Sequence, residues 1–323
     1  MSDRDWLRRP FILRSVRTLM RSRVLLIASM FAVAAHAQSP APQSMTARPL
    51  RVLLDPGHGG QDAGATRGDT KESEITLKLA QKLRSELEGR GFKVTLTRES
   101  NVNLSLESRA QLANSGEHDL LLSLHLNSST DPRAKGKEFY FQNQLPVDEE
   151  SMFLASRENS EISFTAGSDH AHSHSHDHEV SVSLQNSLRS MNERIDASGI
   201  RQAEARKLPA LDRVPESARS DVKRILSDLT RQARVESSST LAVELHRAWR
   251  DSSAVKQRSR GGQAIRQAPF YLVSYVAIPS VLVEVGFLSH KIEGHELTTD
   301  AYQNTLVQSI AEGLSRYQQR RLR

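Results

Sequence analysis

Four residues in this chain have the types and settings that hydrolytic metal chemistry needs: His58, Glu72, His125 and Glu284. His58 stands between glycines in LRVLLDPGHGG, where an apolar strand runs into a Pro-Gly turn. Such a turn puts a side chain at a sheet edge, and glycines leave room there for a ligand. Glu72 opens a helix, His125 comes late in the strand DLLLSLHLN, and Glu284 lies inside SVLVEVGFLS. Two histidines and a carboxylate are a frequent first shell for catalytic zinc, with the fourth position left to water. The metal lowers the pKa of that water from 15.7 to about 7 and polarises the carbonyl to be cut. A second carboxylate at hydrogen-bond reach then takes the proton and hands it to a leaving amine.

Each residue also has an ordinary role to weigh. His58 can serve as a turn residue, and His125 as a core histidine between Leu124 and Leu126. Glu72 and Glu74 can favour a helix start through the macrodipole. Glu284 is the hardest to assign this way, because a carboxylate inside VLVEV is costly to bury unpaired. The chain has no cysteine, so disulfides and thiolate metal sites are excluded, and nitrogen and oxygen must hold any metal.

The elements that must position these residues alternate. Residues 50–54 read as a buried strand, and 72–88 as a helix with Ile75, Leu79, Leu83 and Leu87 on one face. Strands follow at 92–97, 119–126 and 137–141, with a helix at 104–114. The pattern resumes with strands at 269–273 and 280–285, then a long helix carrying Tyr302, Leu306, Ile310 and Leu314. This order predicts one α/β domain over 50–320, with a mainly parallel central sheet flanked by helices. The carboxyl edge of such a sheet is where these folds hold ligands. A polar, partly helical insertion over 142–240 interrupts the domain and contains the tract HAHSHSHDH at 170–178. Its five alternate histidines suit metal gathering or an inert polar loop.

The net charge of +6 does not point to a nucleic acid. Residues 1–37 hold seven arginines against Asp3 and Asp5, which is +5 and leaves +1 for the rest. That segment reads as a cleaved signal peptide: a basic start, an apolar run over 24–35 too short to span a membrane, and Ala35-His36-Ala37 before Gln38. Periplasmic or otherwise exported localisation follows. Arg8-Arg9-Pro10-Phe11-Ile12 suits a twin-arginine route, and Arg21 and Arg23 suit the general one. Residues 38–49 form a Ser/Pro/Gln-rich linker, too short for a wall-binding domain.

Six segments together resemble the zinc-dependent N-acetylmuramoyl-L-alanine amidases of bacterial cell separation, the amidase type 3 catalytic domain. They are DPGHGG (55–60), KESEITLKLA (71–80), LTRESNVNLSLESRAQLAN (96–114), DLLLSLHLNSS (119–129), QAPFYLV (267–273) and PSVLVEVGFLSH (279–290). The resemblance implies one catalytic zinc ion on His58, Glu72 and His125, with Glu284 as the catalytic glutamate. Glu74 competes with Glu72; the family's glutamate precedes a leucine by five positions, as Glu72 does Leu77. The implied substrate is peptidoglycan, cut between N-acetylmuramic acid and the L-alanine of the stem peptide. Leu126 and Val285 depart from the family's small or hydroxylated residues, which alters packing and not chemistry. FLASRENS (153–160) resembles the start of the regulatory insert of these amidases, which implies autoinhibition relieved by a LytM-type activator. A zinc carboxypeptidase-type amidohydrolase and a catalytically silent cell-wall or zinc-binding module are the alternatives. A pure binder has no use for Glu284.

Overall fold

A computed structural model describes residues 48–142, 148–160, 216–252 and 264–322. The leader, the linker up to residue 47 and the histidine tract lie outside the described residues.

Strand β1 (Arg51–Pro56) is followed by the two-residue strands β2 (Thr66–Arg67) and β3 (Thr70–Lys71), which pair with each other. This small hairpin delivers the chain to α1 (Glu72–Gly89), with Glu72 as its first residue. Ile75, Leu79, Leu83 and Leu87 recur every four residues, so they share one face, and all are buried. Each such burial contributes on the order of 2 kcal/mol. Then come β4 (Lys93–Leu96), α2 (Leu106–Ala113), β5 (Leu120–Asn127) and β6 (Glu138–Phe141). Among the described residues, two helices stand between β6 and the next strand: α3 (Glu149–Glu158) and the 36-residue α4 (Glu216–Asp251). The chain closes with β7 (Ile265–Gln267), α5 (Tyr271–Ser274), β8 (Ser280–Phe287), α6 (Glu293–Glu296) and α7 (Asp300–Arg321).

The sheet order is β4-β1-β5-β8-β6-β7. Every neighbouring pair is parallel except β6 with β8, so the expected mainly parallel α/β sheet is present. All eight residues of β5 and of β8 are buried, as central strands covered on both faces must be. Under one face lies the larger core, where Leu54, Leu122 and Val283 meet Leu83 of α1, Ile310 and Leu314 of α7 and Leu245 of α4. On the other face Leu53 and Leu121 pack with α2 and α5, and Tyr140 and Leu282 pack with Leu154 and Ala155 of α3.

The sequence predicts a strand at 269–273, and the structure corrects this. The ladder with β6 ends at Gln267, and Tyr271–Ser274 turns into a helix instead. Pro269 has no N–H to donate to a ladder, and the aromatic and apolar residues beyond it are buried without strand pairing. Helix α4 also shows two regimes. Ile225 and Leu229 are exposed, whereas Leu241, Ala242, Leu245 and Trp249 enter the core. Among the described residues no helix is long and apolar enough to cross a membrane.

Candidate metal centre

The site lies at the carboxyl end of the central strands. His58 follows β1 by two residues and has φ 59°, the only left-handed non-glycine among the described residues. That conformation costs about 1 kcal/mol or more and persists only where surroundings hold it. A Cβ on the preceding Gly57 would sit 2.4 Å from the His125 ring, so glycine is what lets the two imidazoles approach. Gly64 (φ 66°) is equally constrained, since a Cβ there would meet His58 at 2.5 Å and Glu72 at 2.6 Å.

Three of the expected residues converge. One ligand atom from each of His58, Glu72 and His125 lies within 4.8 Å of the others, a group able to hold a metal ion. Glu72 Oε1 is 3.2 Å from His58 Nε2 and 3.3 Å from His125 Nδ1. Glu72 is fixed from both sides: Leu126 N donates to its Oε1 at 2.7 Å and Ala65 N to its Oε2 at 2.8 Å. Glu74 points elsewhere, with its side chain 56% exposed and 4.0 Å from Lys71.

Sequence reasoning missed two residues. Asp62 Oδ2 lies 2.6 Å from His58 Nδ1, the carboxylate–imidazole contact that fixes the tautomer of a metal-ligating histidine. Glu158, the last residue of α3, places Oε2 3.2 Å from His58 Nε2 and 3.3 Å from His125 Nδ1. A glutamate at a helix C-terminus opposes the macrodipole, so its placement there was a local signal of a tertiary purpose. Asp62 had only its nearness to His58 in sequence.

His58 Nε2 and His125 Nδ1 are buried, yet neither makes a directed hydrogen bond. The carboxylate oxygens flank them at 3.2–3.3 Å. A tetrahedral ion with arms of about 2.0–2.1 Å separates its ligand atoms by about 3.3–3.4 Å, so these four separations suit one. The electrostatics agree. Burial pulls the His58 imidazole down, but the Glu72 charge and contacts with Asp62 and Glu158 lift it well above its usual range. Burial likewise opposes the charge on His125, yet Glu158 and Glu72 push it up to about 10. Burial raises Glu72, and the two histidines outweigh it and hold the carboxyl at about 2. A pocket lined by these carboxylates demands positive charge at its centre, which a dication supplies while leaving the imidazoles neutral.

Glu284 is fully buried, and neither carboxylate oxygen has a hydrogen-bond partner. It pairs in register with His125 across β5 and β8, so the two side chains leave the same face of the sheet. Burial, reinforced by the charges of Glu72 and Glu158, raises its pKa well above the carboxylate range. A cleft opens beside His58 and His125, lined in part by Leu106, Glu158, Phe270 and Tyr271.

Residues 52–316 match the family described as N-acetylmuramoyl-L-alanine amidase. The chain belongs to this family. Among curated relatives, N-acetylmuramoyl-L-alanine amidase AmiC of Neisseria meningitidis is 27% identical over 287 residues, covering 87% of this chain and 56% of that protein. AmiA of Escherichia coli is 26% identical over 268 residues, covering 82% of this chain and 75% of its own length. The fold is also that of the CwlD amidase from Clostridioides difficile, solved in complex with the GerS lipoprotein. That structure has a TM-score of 0.52 and 19% identity, and the match covers 84% of this chain and 98% of the solved one.

Proposed function

We propose that this protein is an exported zinc amidase that cuts the bond between N-acetylmuramic acid and L-alanine of the peptidoglycan stem peptide. The observation that carries the reading is the juxtaposition of an orphaned imidazole pair and Glu72 with a second, partnerless carboxylate, Glu284, one strand away. Family membership supplies the bond. His58, Glu72 and His125 would hold the zinc ion. When bound, zinc supplies Lewis-acid polarisation of the scissile carbonyl and a lowered pKa for water.

The remaining chemistry belongs to the chain. Asp62 faces His58 Nδ1 and keeps Nε2 free as a donor atom toward the site. Leu126 N and Ala65 N hold the Glu72 carboxylate so that Oε1 faces both rings. With a dication offsetting the Glu72 and Glu158 charges that raise it, Glu284 would be ionised, take the proton from the attacking water and return it to the leaving L-alanine nitrogen, which departs as a neutral amine. Its buried strand setting keeps bulk water from competing for that proton.

The insertion is read as a regulator. Glu158 stands against both imidazoles, so α3 occupies the place that a substrate carbonyl needs. The helix is tied at both ends. Arg266 of β7 bridges Glu138 to Asp148 and Glu150 at 3.1, 3.3 and 2.8 Å. Asn159 donates to Pro269 O and accepts from Tyr271 N. A LytM-type activator would withdraw α3. Residues 1–37 would direct export, by the twin-arginine or the general route, with 38–49 as linker.

Mass spectrometry of soluble products from purified peptidoglycan tests this, using mature protein with and without the insertion and Glu284→Gln as the blank. Stem peptides beginning at L-alanine, released only with Glu284 intact, are the expected result. Peptides shortened at their carboxyl ends would replace the reading by a carboxypeptidase. Zinc uptake without any product from either form would replace it by a binding module.

A further inference from the structure

Two buried arginines lie beneath the candidate metal centre. Arg98 follows β4 and Arg109 belongs to α2; they are 3% and 2% exposed. Arg98 donates Nε to Pro56 O at 3.0 Å, Nη2 to Gly57 O and to Ser73 O at 2.8 Å each, and Nη1 to Ser100 O at 3.1 Å. Arg109 donates Nη1 to Pro56 O at 2.9 Å and to Asp55 Oδ1 at 2.7 Å. Its Nη2 donates to His58 O at 2.8 Å and its Nε to Leu104 O at 2.8 Å. The carbonyls of Pro56, Gly57 and His58, three consecutive residues, are therefore all held by guanidinium N–H groups. Thr76 Oγ1 adds a bond to Gly57 O at 3.0 Å.

The pattern is more than anchorage of a loop. Nη2 of Arg98 is shared between Gly57, which precedes one candidate ligand, and Ser73, which follows another. One planar group thus fixes the spacing between the segments that carry His58 and Glu72. Arg109 holds the carbonyl of His58 itself, the residue whose φ of 59° needs external support. Arg109 has Asp55 as its counter-ion. Arg98 spends a buried cation almost wholly on backbone carbonyls, an expensive arrangement for a stability role alone.

Resting on the metal-centre reading above, we propose that Arg98 and Arg109 are positioning residues: a carbonyl clamp that presets the separation and orientation of His58 and Glu72 and thereby sets zinc affinity. Partners of this kind usually change metal affinity by about ten- to a hundredfold when removed. The Arg98 side decides the distance between two ligands, and the Arg109 side decides the backbone angle of one.

The test is zinc affinity by competition with a chromogenic chelator, measured on the mature full chain beside its metal-free melting temperature. Arg98→Met keeps the stem and removes all four of these bonds. The expected result is a zinc dissociation constant raised about tenfold or more in folded protein, with hydrolysis restored toward the wild-type rate at saturating zinc. Thr76→Val is a milder variant that removes one bond to Gly57 O, so it serves if Arg98→Met does not fold; a rise of about threefold is expected. A lowered melting temperature with zinc affinity within twofold of wild type, in whichever variant folds, would overturn the clamp and leave these residues purely structural. A wild-type chain that takes up no zinc would overturn the metal-centre reading itself and the clamp with it.

Discussion

Replacing Glu158 by alanine tests the regulatory reading most directly. Its carboxylate is 7% exposed and sits 3.2 Å and 3.3 Å from the two imidazole nitrogens. Contacts of this charged, desolvated kind are worth about 1.5–3 kcal/mol, which is a factor of about ten to a hundred in an open–closed equilibrium. The other polar ties of α3 are weaker. Asp148 and Glu150 are 52% and 71% exposed where they meet Arg266, so each pair contributes about 0.5 kcal/mol. The two bonds of Asn159 are neutral and add about 1 kcal/mol each. Glu158 is therefore the largest polar tie, beside the burial of Leu154, which holds α3 by about 2 kcal/mol in either variant, and Glu158→Ala should raise the basal release of dye-labelled fragments from sacculi by about ten- to a hundredfold. Loss of the helix is not expected, because removing a C-terminal carboxylate relieves the macrodipole. A folded, zinc-loaded Glu158→Ala protein whose basal rate stays within twofold of wild type would refute the reasoning.

Other outcomes follow from the same geometry. Arg266→Ala should raise the basal rate only a few-fold in that dye-release assay, since its ties to α3 are exposed. Chelation should lower the melting temperature in scanning calorimetry; zinc at about a hundred times its dissociation constant contributes about 2.7 kcal/mol, and an unchanged transition would argue against a metal in the folded site. Asp55→Asn should destabilise by about 3–5 kcal/mol in urea titration, because it leaves Arg109 buried without its counter-ion. Burial opposes the Asp55 charge, but Arg109, Thr97 and Ser123 outweigh it and hold the pKa below its usual value. Its contribution is thus present above about pH 4 and is lost as pH falls through the folded value, so the gap between wild type and Asp55→Asn should close in acid.

Much of the molecule was legible in local pattern. The four-residue recurrence of Ile75, Leu79, Leu83 and Leu87 marks α1, because one buried face leaves a periodic trace. The largely apolar runs of β5 and β8 mark central strands, because both of their faces are covered. His58, His125 and Glu284 were visible because polar residues inside apolar or glycine-rich settings stand out against their neighbours, and Glu72 through its place at a helix start and its spacing to Leu77. The helix at Tyr271–Ser274 was not, since a short apolar run carries no period and only the end of the β6–β7 ladder decides its conformation.

By itself the sequence determined the α/β alternation, the cysteine-free donor set and the residues with the chemistry of a hydrolase. Tertiary structure alone decided that Glu158 meets both rings from a helix far downstream of His58, and that Arg98 and Arg109 hold the His58 loop from below. The physical reason is the range of the interactions. Periodicity reports which face of an element is buried, whereas a contact between a carboxylate and an imidazole depends on how distant elements pack, which no local spacing encodes.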